Sequence, residues 1–289
     1  MTRGSFRGLA QLIESDDFIS SDKFLAYSKT EPRITYSKTD FIYRGGVWRG
    51  NRERSLLSQG KTLRGQTLVL GHSDFRIPRS ASRLLSALTG AKRIYGTNLR
   101  PVPGVSDVLP LGLTNNSGES HLHDIFGNNQ HFQTGNDRAL DFDRRFDLSI
   151  YSNFTIQNNV GVRAKLARIV SKLPSSYSLR VEEPSMTKEG RVNYLANLRK
   201  VNFVLCPEGN GLDTHRLWET LYMGGVPVVT ASMYLNSLYY QLPIVILDSW
   251  DGLLNSSKLE EKWHAVQELE WDESLLSQRY WLSEISKDL

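Results

Sequence analysis

The sequence predicts an α/β protein, and three observations carry that prediction. Short apolar runs alternate with segments of helical periodicity through the second half of the chain, the pattern of a parallel sheet with helices on both faces. The first half carries buried-strand candidates more weakly, with a run such as TLVLG at 67–71 leading into a loop and an apolar stretch. The length, 289 residues, suits two domains at roughly 100–200 residues each. The boundary is expected near residues 144–147, giving domains 1–145 and 146–289.

In chain order, the first domain offers strands at 67–71, 93–95 and 108–111, with an apolar stretch around 84–88. Residues 114–138 are rich in Asn, Gly and His and read as loop. The second domain opens with an apolar run at 147–154 (DLSIYSNF), a buried-strand signal. Val162, Leu166, Ile169, Val170 and Leu173 then recur at helical spacing, with Asn158 or Asn159 placed to cap the helix and Pro174 beyond its end. A weaker strand at 177–181, a helix at 187–200 and strands at 202–206, 226–230 and 243–247 complete the alternation, with helices at 213–223 and near 233–240. Trp263 lies at helical spacing from Leu259 and Val266 and is expected in the core. Residues 275–282 form an amphipathic terminal segment.

Composition narrows the class. Hydrophobic residues make up 39% and charged residues 23%, which supports a packed core and excludes wholesale disorder. The single cysteine, Cys206, excludes a disulfide framework and a Cys-based zinc site and fits a reducing compartment. No run of about 18 apolar residues is present, and residues 1–14 lack a signal-peptide apolar block. A soluble, cytoplasmic protein is the expectation. No repeat of solenoid period is visible.

Charge is uneven. Residues 1–150 carry 21 basic and 15 acidic side chains, the remainder 14 and 16. Arg44, Arg49, Arg52, Arg54, Lys61 and Arg64 face one acid, Glu53. Such a patch suits phosphate, an anionic surface or an acidic glycan. A solvated loop and helix face is the alternative.

The chemistry concentrates at 202–230, NFVLCPEGNGLDTHRLWETLYMGGVPVVT. A buried strand ends at Cys206-Pro207, and the loop Glu208, Gly209, Asn210, Gly211 leads into a helix that Asp213 or Thr214 can cap. Free amides at a helix N-terminus, with glycines that permit close approach, favour phosphate. Arg216 in the first turn can reach phosphate oxygens. Glu219, three residues on, shares that face and can accept the two hydroxyls of a ribose. An ordinary helix-surface pair beside a simple turn remains the alternative. No Gly-Lys-Ser/Thr follows, so this is not a Walker loop, and Gly209 and Gly211 lack the third glycine of the dinucleotide fingerprint.

The pattern C-P-x-G-x-G-x-D-x-x-R-x-x-E-x-x-x-x-G-x-x-P-V, here Cys206 to Val228, resembles the donor-binding region of exostosin-like glycosyltransferases. The likeness extends more weakly to SNFTIQNNVGVR, the segment of Asn153, Phe154, Asn158 and Arg163. In all it touches about 40% of the chain. The resemblance implies a GT-B-like fold, two Rossmann-like domains facing a cleft, with an N-terminal acceptor-side domain and a C-terminal domain that holds a nucleotide-sugar donor. It also implies transfer of a sugar from a nucleotide-diphosphate donor to a glycan or other hydroxyl acceptor, with inversion preferred and retention the alternative, since the motif binds the donor and does not set stereochemistry. Donor-binding roles then fall on Asn153, Arg163, Glu208, Gly209, Asn210, Gly211, Asp213, Thr214, Arg216 and Glu219, with Arg216 on phosphate and Glu219 on ribose. No metal and no other cofactor are implied, because helix dipoles and Arg side chains stabilise the leaving diphosphate. A terminal helix crossing back onto the first domain is a further implication.

An inverting transferase needs a base for the acceptor hydroxyl. Asp74 and then His72 are the candidates, since both follow the strand at 67–71 and so stand at a carboxyl end. A loop-capping Asp and a surface His are the alternative. Asp107, Asp124 and His123 are weaker candidates. The stretch HLHDIFGNNQH brings His121, His123, Asp124 and His131 together, but H-x-H on a loop is a weak metal signal. Two rival functions remain. One is a polyanion- or nucleic-acid-binding protein using the Arg44–Arg64 patch, disfavoured because only Trp48 is interleaved with it. The other is a non-catalytic binding subunit of transferase fold. Nucleic acid is not an expected partner; an anionic surface is the expected peripheral one.

Overall fold

The structure, a computed structural model, describes residues 17–38, 42–44, 47–49, 63–72, 76–114, 146–231 and 236–289. They form two compact units. The first comprises the described residues of 19–112 with 210–213 and 274–289; the second comprises those of 113–209 and 214–273 with 17–18.

The first unit opens with helix α1 (Ser21–Ser28) and strand β1 (Ile34–Lys38). A short hairpin follows, β2 (Ile42–Arg44) paired antiparallel with β3 (Val47–Arg49). Strand β4 (Thr67–Gly71), helix α2 (Arg79–Thr89), strand β5 (Arg93–Gly96) and strand β6 (Ser106–Val108) complete it. The sheet is parallel in the order β1-β4-β5-β6. β4 is buried throughout, which explains its uninterrupted apolar sequence. Its core joins Leu68, Leu70 and Ile94 to Ala81 and Leu85 of α2. The strand expected at 108–111 lies earlier, as β6: Leu109 and Leu111 are buried, but beyond Val108 the ladder stops. β1 and the hairpin gave no usable signal. ITYSK carries polar residues at alternate positions, which suits an edge strand and hides it from a search for apolar runs.

The second unit alternates strictly. It contains β7 (Ser149–Ser152), α3 (Val160–Val170), β8 (Ser178–Val181), α4 (Lys188–Leu198), β9 (Phe203–Leu205), α5 (His215–Tyr222), β10 (Val226–Thr230), α6 (Asn236–Tyr239), β11 (Val245–Leu247) and α7 (Ser256–Glu268). All five strands are parallel in the order β11-β10-β9-β7-β8. Each predicted strand and helix of this half is present with ends shifted by a few residues. One face buries Ile150, Phe203, Leu205, Val226, Val228, Val245 and Leu247 against Leu166 and Ile169 of α3 and Leu259, Trp263 and Val266 of α7. The opposite face carries Tyr151, whose ring lies 6.1 Å from Tyr194 of α4. Pro227 sits inside β10, where a missing N–H would break a central ladder. Pairing with β11 begins only at Val228, so one side of Pro227 is unpaired and the strand tolerates it.

Helix ends follow side-chain chemistry. Asn159 caps α3 by accepting from the Val162 amide at 3.4 Å, Thr187 caps α4, and Asn255 caps α7. The expected cap on α5 differs. Thr214 holds the cap position with extended backbone but no side-chain bond to the first turn, and Asp213 turns its Oδ2 to the amide of Leu111 at 2.9 Å.

The terminal helix α8 (Gln278–Ser286) belongs to the first unit. Gln278 Oε1 accepts the Ser20 amide at 3.0 Å, and Tyr27 and Ser286 share a hydroxyl bond at 2.8 Å. The Tyr95 hydroxyl donates to Asp288 Oδ2 at 2.5 Å. Among the described residues, no helix is long and apolar enough to cross a membrane.

Candidate functional site

Strand order in the second unit reverses between β7 and β9. The chain leaves β7 for β8 on one side, then returns to place β9 on the other. In open α/β sheets, ligands bind outside the carboxyl ends of the strands at such a reversal. The connections leaving there, 153–159 after β7 and 206–214 after β9, hold most of the predicted donor-binding residues.

Arg163 ties these connections together. Its Nη1 donates to the Thr155 carbonyl at 2.8 Å, while Nε reaches the Glu208 carbonyl at 3.1 Å and Nη2 the Pro207 carbonyl at 3.3 Å. The side chain is 5% exposed, and Cζ lies 5.8 Å from the Phe154 ring centroid. Burial, and then the neighbouring charge of Arg216, pushes its pKa down to about 10, so it stays protonated at neutral pH. Asn159 adds a second tie: beyond capping α3, its Nδ2 donates to the Gly209 carbonyl at 3.0 Å. A Cβ on Gly209 would sit 3.1 Å from Arg163 Nη2, so a glycine lets the loop cross the guanidinium. Asn153 and Glu208 are buried beside this clamp.

The loop ahead of α5 is where amides are open. Those of Gly209, Asn210 and Gly211 donate to no partner among the described residues. The next two are occupied: Asn98 Oδ1 accepts from both Leu212 and Asp213 at 2.8 Å. The glycine-bearing loop therefore holds three open donors ahead of the two that Asn98 occupies. Gly211 is required at that turn, because a Cβ there would lie 2.5 Å from Asn98 Oδ1. Asn98 is buried with φ at 57°, the left-handed region that Asn tolerates better than most residues.

Arg216 is partly buried in the first turn of α5. Its Nε is buried and has no hydrogen-bond partner among the described residues. Glu219, one turn on, is 4% exposed and accepts the Tyr194 hydroxyl at 2.6 Å. Burial and then the Glu219 charge raise the Tyr194 pKa well above the usual phenol value, and the positive charge of Arg216 opposes the shift. Beside them, Tyr151 donates to Glu182 Oε2 at 2.7 Å, and Asn197 donates to both Glu182 oxygens at 3.0 and 3.1 Å. Burial and Glu182 likewise raise the Tyr151 pKa.

Among the base candidates, His72 follows β4 in the first unit, with its ring held between Tyr36 and Asp22. Asp74 lies outside the described residues, as do His121, His123, Asp124 and His131. Asp107 is taken up by an ion pair with Arg93. Among the described residues, no group of three or more His, Cys, Asp or Glu could hold a metal. Of the basic patch, Arg44 and Arg49 fall on the β2–β3 hairpin, Arg64 is exposed, and Arg52, Arg54 and Lys61 lie outside the described residues.

Sequence reasoning missed Asn98, Tyr194, Tyr36 and Asp22. Only Asn98 carried a local signal, an Asn in a polar turn directly after a strand; the others act on residues distant in sequence.

No curated protein gives a significant match to the chain. Residues 137–278, just under half of its length and spanning both connections at the β7/β9 reversal, match the family model described as the RXYLT1 C-terminal domain, and this match supports a glycosyltransferase family.

Proposed function

We propose that this chain is a glycosyltransferase that moves a sugar from a nucleotide-diphosphate donor to a glycan or other hydroxyl acceptor, with inversion at the sugar. The observation that carries this reading is the buried Arg163 guanidinium, with the Arg216 charge acting on it, packed against Gly209. Burial, and then the like charge of Arg216, lower the Arg163 pKa, and an anion between two like charges relieves their mutual cost. Amides and a guanidinium aimed at a diphosphate stabilise it most as it leaves.

In this reading Arg216 contacts phosphate through the edge that now lacks a partner. Arg163, spent on three carbonyls, acts mainly by shaping the loop. Glu219 offers ribose the carboxylate oxygen that Tyr194 does not use. A GT-B-like arrangement, with an acceptor-side domain at 1–145 and a donor-side domain at 146–289, is part of the proposal, and Asp74 or His72 supplies the base. A thermal-shift screen against a panel of nucleotide sugars tests it, since a ligand that binds only the folded state raises the melting temperature. One nucleotide-diphosphate sugar is expected to stand out; a flat panel would refute the reading.

A further inference from the structure

On α5 a cation and a carboxylate, Arg216 and Glu219, stand three residues apart. Residues so spaced are neighbours on a helix surface, with about 5–6 Å between their Cβ atoms, and opposite charges ordinarily pair there. This pair is not made. Glu219 instead meets α4, where the Tyr194 hydroxyl donates to its Oε2 at 2.6 Å. Among the described residues the Arg216 side chain makes no ion pair and no hydrogen bond, and its Nε is buried. A second carboxylate is held in the same way. Glu182 accepts from Tyr151 at 2.7 Å through Oε2, and from Asn197 through both oxygens. The two phenol rings lie 6.1 Å apart, and the positive charge of Arg216 acts on both hydroxyls.

Competition decides which donor Glu219 keeps. A buried carboxylate needs donors, and a short O–H bond to an ionised oxygen is a strong one. Burial and then the Glu219 charge push the Tyr194 pKa well above the usual phenol value, so its hydroxyl keeps its proton and goes on donating. A phenol satisfies the carboxylate without cancelling a charge. An ion pair with Arg216 would satisfy the same oxygen but neutralise the guanidinium. Arg216 therefore keeps its full charge, and after burial its field is what lowers the Arg163 pKa. A partly buried guanidinium without a partner is costly, and an anion removes that cost.

Resting on the transferase reading above, we propose that Tyr194 is a positioning residue whose hydroxyl holds the Glu219 carboxylate off Arg216, leaving the guanidinium for the pyrophosphate group of the donor. Tyr151, with Asn197, does the same for Glu182. All of these side chains lie in the second unit. Tyr194 is buried and its hydroxyl is spent on Glu219, so it acts through that carboxylate and not on the ligand. The arrangement divides the labour between two neighbours on one helix: the acid is kept for hydroxyls and the cation for phosphate. Removing the Tyr194 hydroxyl leaves Glu219 without its donor and Arg216, one turn away, as the group that can replace it.

The test uses the full chain and inorganic pyrophosphate, a probe without ribose, so that a contact of Glu219 with a nucleoside does not enter. Calorimetry is run at a temperature where circular dichroism shows every variant folded. Tyr194→Phe is expected to weaken pyrophosphate binding by roughly tenfold, and adding Glu219→Gln to that variant is expected to restore most of the loss. Nitrogen-15 NMR of the arginine Nε groups, with Arg216 assigned by its absence in Arg216→Lys, separates this from a loosened fold. The Arg216 Nε–H is expected to shift and exchange more slowly in Tyr194→Phe, and to return to the parent position in the double variant. Parent-like pyrophosphate affinity in Tyr194→Phe overturns the inference, and so does weakened binding with an unmoved Arg216 resonance. Both outcomes leave the transferase reading to the nucleotide-sugar screen. A parent that binds a nucleotide sugar but not pyrophosphate overturns the inference alone, and a parent that binds neither removes both.

Discussion

Tyr194 donates its hydroxyl to Glu219 Oε2 across 2.6 Å, and both side chains are buried. The bond joins α4 to α5 on the face of the second sheet opposite α3 and α7. It also immobilises the carboxylate proposed to meet ribose, so stability and the proposed ligand role fall on one side chain.

Those two roles separate by substitution. Tyr194→Phe leaves a buried carboxylate without its donor and is expected to cost about 1–3 kcal/mol in urea unfolding. Glu219→Gln keeps an acceptor for Tyr194, so its unfolding free energy should fall less. The same variant should bind the nucleotide-diphosphate donor more weakly, and unaltered donor affinity in calorimetry would remove the ribose role.

Arg216→Ala should weaken donor binding by about 1.5–3 kcal/mol, or roughly 10- to 150-fold in Kd. The guanidinium is partly buried and its Nε is unsatisfied among the described residues, so stability should change little. A parent-like Kd by calorimetry would contradict the phosphate role.

Arg163 should behave in the opposite way. A lysine reaches one of the Thr155, Pro207 and Glu208 carbonyls but cannot bridge all three, so Arg163→Lys is expected to destabilise the fold by about 2–4 kcal/mol. Donor affinity should drop as a consequence of the loosened loop. A variant with parent stability in urea and lost donor binding would instead make Arg163 a direct ligand contact.

Gly211 and Asn98 should be energetically coupled. Gly211→Ala drives a Cβ into the Asn98 amide and displaces the acceptor of the Leu212 and Asp213 amides, at a cost of about 1–3 kcal/mol. In an Asn98→Ala background that clash is gone, and the alanine should add little further loss. A double-mutant cycle measures this, and strictly additive effects would show that the contact is not the source of the cost.

Donor binding should survive chelation, because guanidinium groups and loop amides supply the positive field that a cation supplies elsewhere. Affinity that disappears in EDTA and returns with a divalent ion would shift attention to His121, His123, Asp124 and His131.

The second half of the fold was legible because β7, β9, β10 and β11 are buried throughout, whereas the exposed β8 gave only a weaker signal. Val226–Thr230 could be read to the residue from its apolar run, and the Asn158–Asn159 pair marked a helix start that the structure gives to Asn159. The loop after β9 was legible through its glycines, since few other residues permit the approaches that Arg163 and Asn98 make. The edge strand β1 was not legible: half-polar ITYSK has no local feature that separates it from a loop, and its pairing with β4 supplies the missing term.

What the sequence determined alone was the alternation, the strand–loop–helix at 202–230 and the placing of His72 at a strand end, because periodicity, capping and turn chemistry act within a few residues. Tertiary structure decided which groups those residues meet. Asp22 and Tyr36 lie 50 and 36 positions from His72, Glu208 lies 45 from Arg163 and Asn98 lies 114 from Leu212. Such partners are chosen by strand order and sheet register, which are long-range properties of the packed chain. Whether a guanidinium is spent on carbonyls or left to meet an anion depends on them, and residue type and spacing alone carry no trace of that choice.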